Sequence, residues 1–160
     1  MMASQEPVLV ARGLVKQYCN GGPVLTVLHQ VECAFHGDEC VSIIGASGAG
    51  KSTLLHVLAG LDRPTDGAVW YAGQDLYAMS DSARAGLRNK AFGFVFQFYH
   101  LMPEFNALEN VLLPCMIGRT AAGAARSWAR DLLGQVGLAE RTQHYPNQLS
   151  GGEQQRVAIA

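Results

Sequence analysis

Residues Gly45 to Ser52 read Gly-Ala-Ser-Gly-Ala-Gly-Lys-Ser and directly follow the apolar run Cys40-Val41-Ser42-Ile43-Ile44. Two glycines flanking four residues, then Lys and Ser, is a phosphate-loop pattern. Gly45, Gly48 and Gly50 permit backbone angles that other residues resist. The loop can then curl with successive N–H groups turned inward, as a nest for anionic oxygens. A helix starting at its end aims a positive terminus at the same point. Lys51 adds a full charge for the terminal phosphates, and Ser52 offers a hydroxyl to Mg²⁺. Ala46, Ser47 and Ala49 complete the backbone of the loop, and Thr53 follows in the first helical turn. The expected ligand is therefore a triphosphate with Mg²⁺.

Glycine makes up 18 of the 160 residues, above the usual share of roughly 7%, so the pattern alone could arise by chance. Its context argues otherwise. An apolar run suited to a buried strand precedes the loop, and Leu54, Leu55, Leu58 and Leu61 then recur at helical spacing. Upstream, Val8–Val10 is a short apolar run, and Val31, Cys33 and Phe35 alternate with Glu32 and Ala34 as in a half-buried strand. This order predicts an edge sheet leading into a buried parallel sheet that contains residues 40–44. Ala68–Tyr71 reads as a further strand, residues 80–89 as a surface helix, and Phe92–Phe96 as a strand ending at Gln97. Beyond Gln97 no strand signal appears before Leu149. Asn106 can cap a helix carrying Leu108, Val111 and Leu112. Thr120 can cap a second, with Trp128, Leu132 and Val136 on its inner face and Gly137 as its stop.

A second anchor lies at Leu149–Ala160, which reads L-S-G-G-E-Q-Q-R-V-A-I-A. Ser150 and Glu153 have capping-box spacing. Gly151 and Gly152 sit in the first turn, where they expose backbone N–H groups to an anion. A purely structural helix gains nothing from two glycines, each costing roughly 1 kcal/mol against Ala in a helix interior and less at an end. A plain capped surface helix would nevertheless carry Ser150 and Glu153 equally well.

Composition narrows the classes. The formal net charge is −1 and no basic tract occurs, which disfavours a nucleic-acid partner. The longest apolar run, around Leu112–Ile117, falls far short of the roughly 20 residues needed to cross a bilayer. No Arg-led hydrophobic region surrounds Glu6, so no signal peptide is expected. Cys19, Cys33, Cys40 and Cys115 form no C-x-x-C pair and read as small apolar residues of a reducing cytosol. The five histidines are scattered, and no zinc site is expected.

Taken together, the phosphate loop, the strand-end Gln97 and L-S-G-G-E-Q-Q-R resemble the nucleotide-binding subunit of an ABC transporter, over essentially the whole chain. The resemblance implies an α/β fold, a P-loop NTPase core with an antiparallel β subdomain and an inserted helical signature subdomain. Residues 1–97 would hold the core and β subdomain, and 98–160 the helical subdomain and signature helix. It implies catalytic roles for Lys51 and Gln97, with Gln97 joining Ser52 at Mg²⁺ and sensing a membrane partner. Tyr18 matches the aromatic that stacks on adenine in such proteins, though a packed hairpin aromatic would look the same in sequence. Ser150, Gly151, Gly152 and Glu153 would complete the ATP site of an opposite subunit. The implied partners are a second copy of the ATPase and transmembrane permease subunits, which places the chain peripherally on the cytoplasmic face of a bacterial inner membrane.

The stretch from Gln97 to Gly118, Q-F-Y-H-L-M-P-E-F-N-A-L-E-N-V-L-L-P-C-M-I-G, is similar to the ATPases of lipoprotein-releasing complexes, as is L-H-V-L-A-G-L-D at Leu55–Asp62. ATPases of macrolide and peptide exporters and of a cell-division complex share much of this pattern. Soluble relatives acting on DNA carry coiled coils or zinc modules between the two motifs, and nothing of that kind lies between Lys51 and Ser150. Ribosome-acting relatives with two such domains, and a nucleotide sensor without hydrolysis, remain as alternatives. The family pattern continues with a strand ending Asp-Glu (Walker B and the catalytic carboxylate), a D-loop and a switch histidine, none of which lies within these 160 residues. The expectation is a chain truncated before Walker B, deficient in hydrolysis by itself and left with an open seam in its central sheet.

Overall fold

The computed structural model describes residues 6–19 and 21–160, so the first five residues of the expected core lie outside it. The chain divides into two compact units, Met1–Arg88 and Asn89–Ala160.

In the first unit, strands β1 (Leu9–Tyr18), β2 (Leu25–Phe35), β3 (Asp66–Tyr71) and β4 (Gln74–Asp75) make one sheet in the order β2-β1-β3-β4. Every neighbouring pair is antiparallel. Helix α1 (Lys51–Leu58) separates β2 from β3, and α2 (Asp81–Ala91) follows β4. Ala11, Leu14, Leu28, Val57, Leu58, Val69 and Leu76 are buried here.

β1 runs much further than its apolar start suggests. The register shifts between Ala11 and Leu14, around Gly13 at φ 58°. The buried positions accordingly step from Ala11 to Leu14 and then to Lys16. An extra residue in a strand moves every later side chain to the other face, and here it turns Lys16 inward. Gly67 on β3 faces this irregularity at φ 84°, and a Cβ there would lie 2.6 Å from the Arg12 carbonyl oxygen. Only glycine allows that approach.

Two expected strands do not form. Residues 40–44 and 92–96 have no ladder partner among the described residues, so the parallel sheet expected from the apolar runs is not made. Ile44 is 93% exposed, and Val41 and Val95 are also exposed. Apolar side chains favour a strand only when a neighbour supplies hydrogen bonds and a face to pack on.

The second unit holds α3 (Ala107–Ile117), α4 (Ala122–Gln135) and α5 (Gly151–Ile159), and the connection from α4 to α5 carries two 3₁₀ turns, at Ala139–Arg141 and Pro146–Gln148. Ala107, Leu108, Ala129, Leu133, Leu138, Leu149 and Val157 form its core. Asn106 caps α3 with a complete capping box through Glu109. Asn110, buried one turn on, accepts from the Met102 N–H and donates to the carbonyls of Met102, Phe105 and Asn106. It pins the loop before α3 to the helix, a role its sequence position did not announce.

Helix α4 departs from expectation at its start and in its phase. Its N-cap is Ala121, without a side-chain bond, rather than Thr120. The buried stripe is Ala125, Ala129 and Leu133, one residue away from the expected one, and Trp128 is 57% exposed. Both stripes have helical spacing. The alanine-rich one is buried, and of the other Val136 packs against the same core. Gly137, at φ 75°, ends the helix as expected.

Among the cysteines, Cys33 and Cys115 are half-buried, whereas Cys19 and Cys40 are exposed, and all four are free. The apolar-filler reading therefore holds for two of them.

Tyr77 closes the first unit. Its hydroxyl reaches the carbonyls of Val57 and Asp62, each at 2.6 Å. The Arg63 and Arg84 guanidiniums lie over its ring. Burial pushes the phenol up to about 12, against the pull of Arg84. A raised acid contributes stability that is whole below pH 10 and is lost as pH climbs through about 12. Tyr77→Phe should therefore cost about 1 kcal/mol at neutral pH and remove that alkaline limb, both readable from thermal melts against pH. An unchanged limb would place its origin elsewhere.

Candidate nucleotide-binding site

The loop between residues 44 and 51 is exposed and irregular, and it hands the chain to α1 through Gly50. Gly50 is the N-cap at φ 87° and ψ 8°, and its carbonyl accepts the Leu54 N–H at 2.8 Å. A Cβ at Gly50 would stand 2.9 Å from Val27 Cγ1 and 3.0 Å from the Val27 carbonyl oxygen. Gly48 is also left-handed, at φ 78°. Gly45 is not, and a Cβ there would meet nothing closer than 3.5 Å. The conformational argument for three glycines thus holds for two.

Lys51 folds back over the loop. Its ammonium donates to the Gly45 carbonyl at 2.9 Å and the Ala46 carbonyl at 2.7 Å. No carboxylate pairs with it among the described residues, and the first turn of α1 holds no acidic residue. The first N–H groups of any helix lack intrahelical acceptors. A full positive charge, those donors and the helix dipole therefore converge without a compensating anion. Ala46, Ser47, Gly48, Ala49 and Ser52 are exposed around this point, and Lys51 and Thr53 are half-buried.

Tyr18, at the end of β1, stands beside the same helix. Thr53 is within hydrogen-bonding reach of its phenol. Its hydroxyl donates to Asp62 Oδ2 at 2.7 Å. Asp62 Oδ1 accepts from Lys16 Nζ at 2.5 Å, and the same ammonium donates to the Arg63 carbonyl at 2.7 Å. Lys16 Nζ lies 4.8 Å from the centre of the Tyr18 ring. Burial raises the Tyr18 phenol, with the Asp62 carboxylate adding to it. Burial also works to raise Asp62, but the bonds from Lys16 and Tyr18 prevail and hold its carboxyl below its ordinary range.

The second unit holds the remaining expected residues. Gln97 is exposed in a turn, at the end of a segment without regular secondary structure rather than of a strand. Ser150 caps α5: its backbone N–H and hydroxyl both donate to Glu153 Oε2 at 2.8 Å, and its hydroxyl oxygen accepts the Glu153 N–H. Arg141 Nε holds the other carboxylate oxygen at 3.3 Å. Bonds from the Ser150 backbone and hydroxyl keep Glu153 below its usual range. Glu153 is thus occupied in building the cap. Gly151 and Gly152 are exposed, and an added Cβ at either would meet no atom closer than 3.7 Å. Packing within the chain does not demand glycine at either place.

Among the described residues no cluster of His, Cys, Asp or Glu could hold a metal. Ser52 in the first unit and Gln97 in the second each carry one hard-oxygen donor. That chemistry fits Mg²⁺, which keeps most of its waters and takes few protein oxygens beside substrate phosphates.

Sequence reasoning missed Lys16 and Asp62. A weak signal existed: residues two apart on a strand share a face, which sets Lys16 beside Tyr18.

The sequence profile of the family described as ABC transporter matches residues 28–160. The chain is 54% identical over 157 residues to the lipoprotein-releasing system ATP-binding protein LolD of Pseudomonas syringae pv. tomato, covering 98% of this chain and 69% of that protein. To the protein of the same name from Geobacter metallireducens it is 50% identical over 153 residues, 96% of this chain and 68% of the relative. Among solved structures it matches the dimeric structure of a bacterial ABC transporter cassette with a TM-score of 0.88 at 37% identity, over 94% of this chain and 67% of that one. The dimeric post-hydrolysis state of an ATP-binding cassette with bound ADP and Pi matches equally well, with the same score, identity and coverage. The chain therefore belongs to the ABC transporter family and is an ATP-binding cassette of the nucleotide-binding subunit type.

Proposed function

We propose that this cassette binds ATP with Mg²⁺ and powers release of lipoproteins from the bacterial inner membrane. The observation that carries the nucleotide reading is the uncompensated positive charge of Lys51 at the start of α1, held over a loop that two left-handed glycines curl. The identity to lipoprotein-releasing ATP-binding proteins across nearly the whole chain supports the substrate class.

In this reading Gly45 to Lys51 wrap the phosphates, Ser52 and Thr53 follow in the first helical turn, and Tyr18 stacks on adenine. Ser52 and Gln97 are the oxygen donors for Mg²⁺, which when bound screens charge on the terminal phosphates. Lys51 exchanges two neutral carbonyl acceptors for anionic phosphate oxygens, a gain because its ammonium then meets opposite charge directly. Two copies meet with two-fold symmetry, the common arrangement of homodimers, and the matched cassettes are themselves dimeric. Ser150, Gly151 and Gly152 of one copy then present the start of α5 to the γ-phosphate held by the other, while Glu153 keeps that turn in shape. ATP thereby joins the copies. Gln97 and the helices after it pass the change to transmembrane permease subunits. No helix among the described residues is long and apolar enough to cross a membrane, and the assigned place is peripheral, on the cytoplasmic face.

Three outcomes test this. Expressed with the membrane subunits of a lipoprotein-releasing system, the chain should co-purify with them in detergent; capture by exporter subunits instead would redirect the substrate assignment. Ser150→Arg should leave nucleotide affinity in the monomer unchanged and abolish ATP-dependent dimerisation in sedimentation; dimerisation at the wild-type concentration would refute the role of α5. Finally, no strand among the described residues ends in Asp-Glu to polarise an attacking water. The 160-residue chain alone should therefore bind ATP without multiple turnover, and steady phosphate release from it would contradict that.

A further inference from the structure

Tyr18 is held by more contacts than a surface aromatic needs. Its hydroxyl bonds one oxygen of Asp62, while Lys16 bonds the other oxygen and lies over the ring. Lys16 is itself nearly buried, its side chain 11% exposed, and its remaining bond goes to the Arg63 carbonyl. Asp62 is fixed in turn. Its backbone N–H reaches the His56 carbonyl in α1, and its own carbonyl receives the Tyr77 hydroxyl. One carboxylate thus clamps the end of β1 to the far end of the helix that begins at the phosphate loop.

We infer that Lys16 and Asp62 are positioning residues for the nucleobase: together they fix the Tyr18 ring, and Lys16 covers one of its faces, so that adenine stacks on the other. This rests on the assignment of Tyr18 to adenine. A cation over one face of an aromatic ring draws π density toward itself. The opposite face becomes less negative and meets the π cloud of a base with less repulsion. A ring clamped beforehand also loses less freedom when the base arrives, which is the affinity gained by preorganisation. Every base has a π face, so the device favours nucleotides over bare polyphosphate without choosing adenine over guanine.

The test compares ATP, GTP and inorganic tripolyphosphate binding to the full chain by calorimetry, for wild type, Tyr18→Ala, Tyr18→Phe, Lys16→Met and Lys16→Arg. Tyr18→Ala should lose about tenfold or more in ATP affinity. Lys16→Met and Tyr18→Phe should each lose about threefold to tenfold for ATP and GTP alike, with tripolyphosphate binding unchanged. Lys16→Arg should recover most of the loss. A parallel fall in tripolyphosphate affinity would make Lys16 a support of the loop and overturn the inference. Wild-type ATP affinity in both Lys16→Met and Tyr18→Phe, with Tyr18→Ala impaired, would overturn it while leaving Tyr18 at the base. Should Lys16→Met not fold, Tyr18→Phe alone decides. Wild-type affinity in Tyr18→Ala would instead remove Tyr18 from the site and the inference with it.

Discussion

The left-handed turn at Gly50, pressed against the backbone of Val27, sets the geometry on which the candidate site depends. The chain must pass from an exposed loop into α1 within one residue, and β2 leaves no room for a Cβ. A residue with a side chain would pay the cost of the left-handed conformation, about 1–2 kcal/mol, and would also have to push β2 away. Once the turn is made, the rest follows locally. The first N–H groups of α1 are aimed into the loop, and Lys51, as the first helical residue, can fold back over Gly45 and Ala46. Charge and donors converge because one strand stands behind one glycine.

A second constraint ties the aromatic side of the site to the same helix. The irregularity at Gly13 changes the phase of β1, burying Lys16 and bringing its ammonium over Tyr18. Asp62, just past α1, receives both. Because Tyr77 also hydrogen-bonds the carbonyls of Val57 and Asp62, the turn that carries this carboxylate is held from within. The phosphate loop runs into α1 and Asp62 follows it, so a shift of α1 would move both the loop and the carboxylate that holds Tyr18.

Features encoded within a few residues were legible in the sequence. The caps at Asn106 and Ser150, the latter with Glu153 three residues on, depend on local spacing alone and appear in the structure as capping boxes, with Glu109 completing the one at Asn106. So does the stop at Gly137. Features that depend on a partner were not legible. Residues 40–44 and 92–96 are apolar enough for strands, but a ladder needs a neighbour, and none pairs with them among the described residues. Two stripes on α4 had equal periodicity, and tertiary packing chose Ala125, Ala129 and Leu133. Asp62 lies 46 residues from Lys16, so no local pattern could join them. Asn110 drew no attention because its value lies in bonds to a loop that has no regular structure.

The most direct measurement is a backbone amide resonance titration of the chain with inorganic pyrophosphate, a ligand without a base. The account predicts saturable, one-to-one shifts concentrated in Gly45–Thr53, with little change along β3 and β4. Shifts absent from that stretch, or spread evenly over the surface, would contradict the claim that a loop curled at Gly48 and Gly50 and closed by Lys51 is what holds the phosphates.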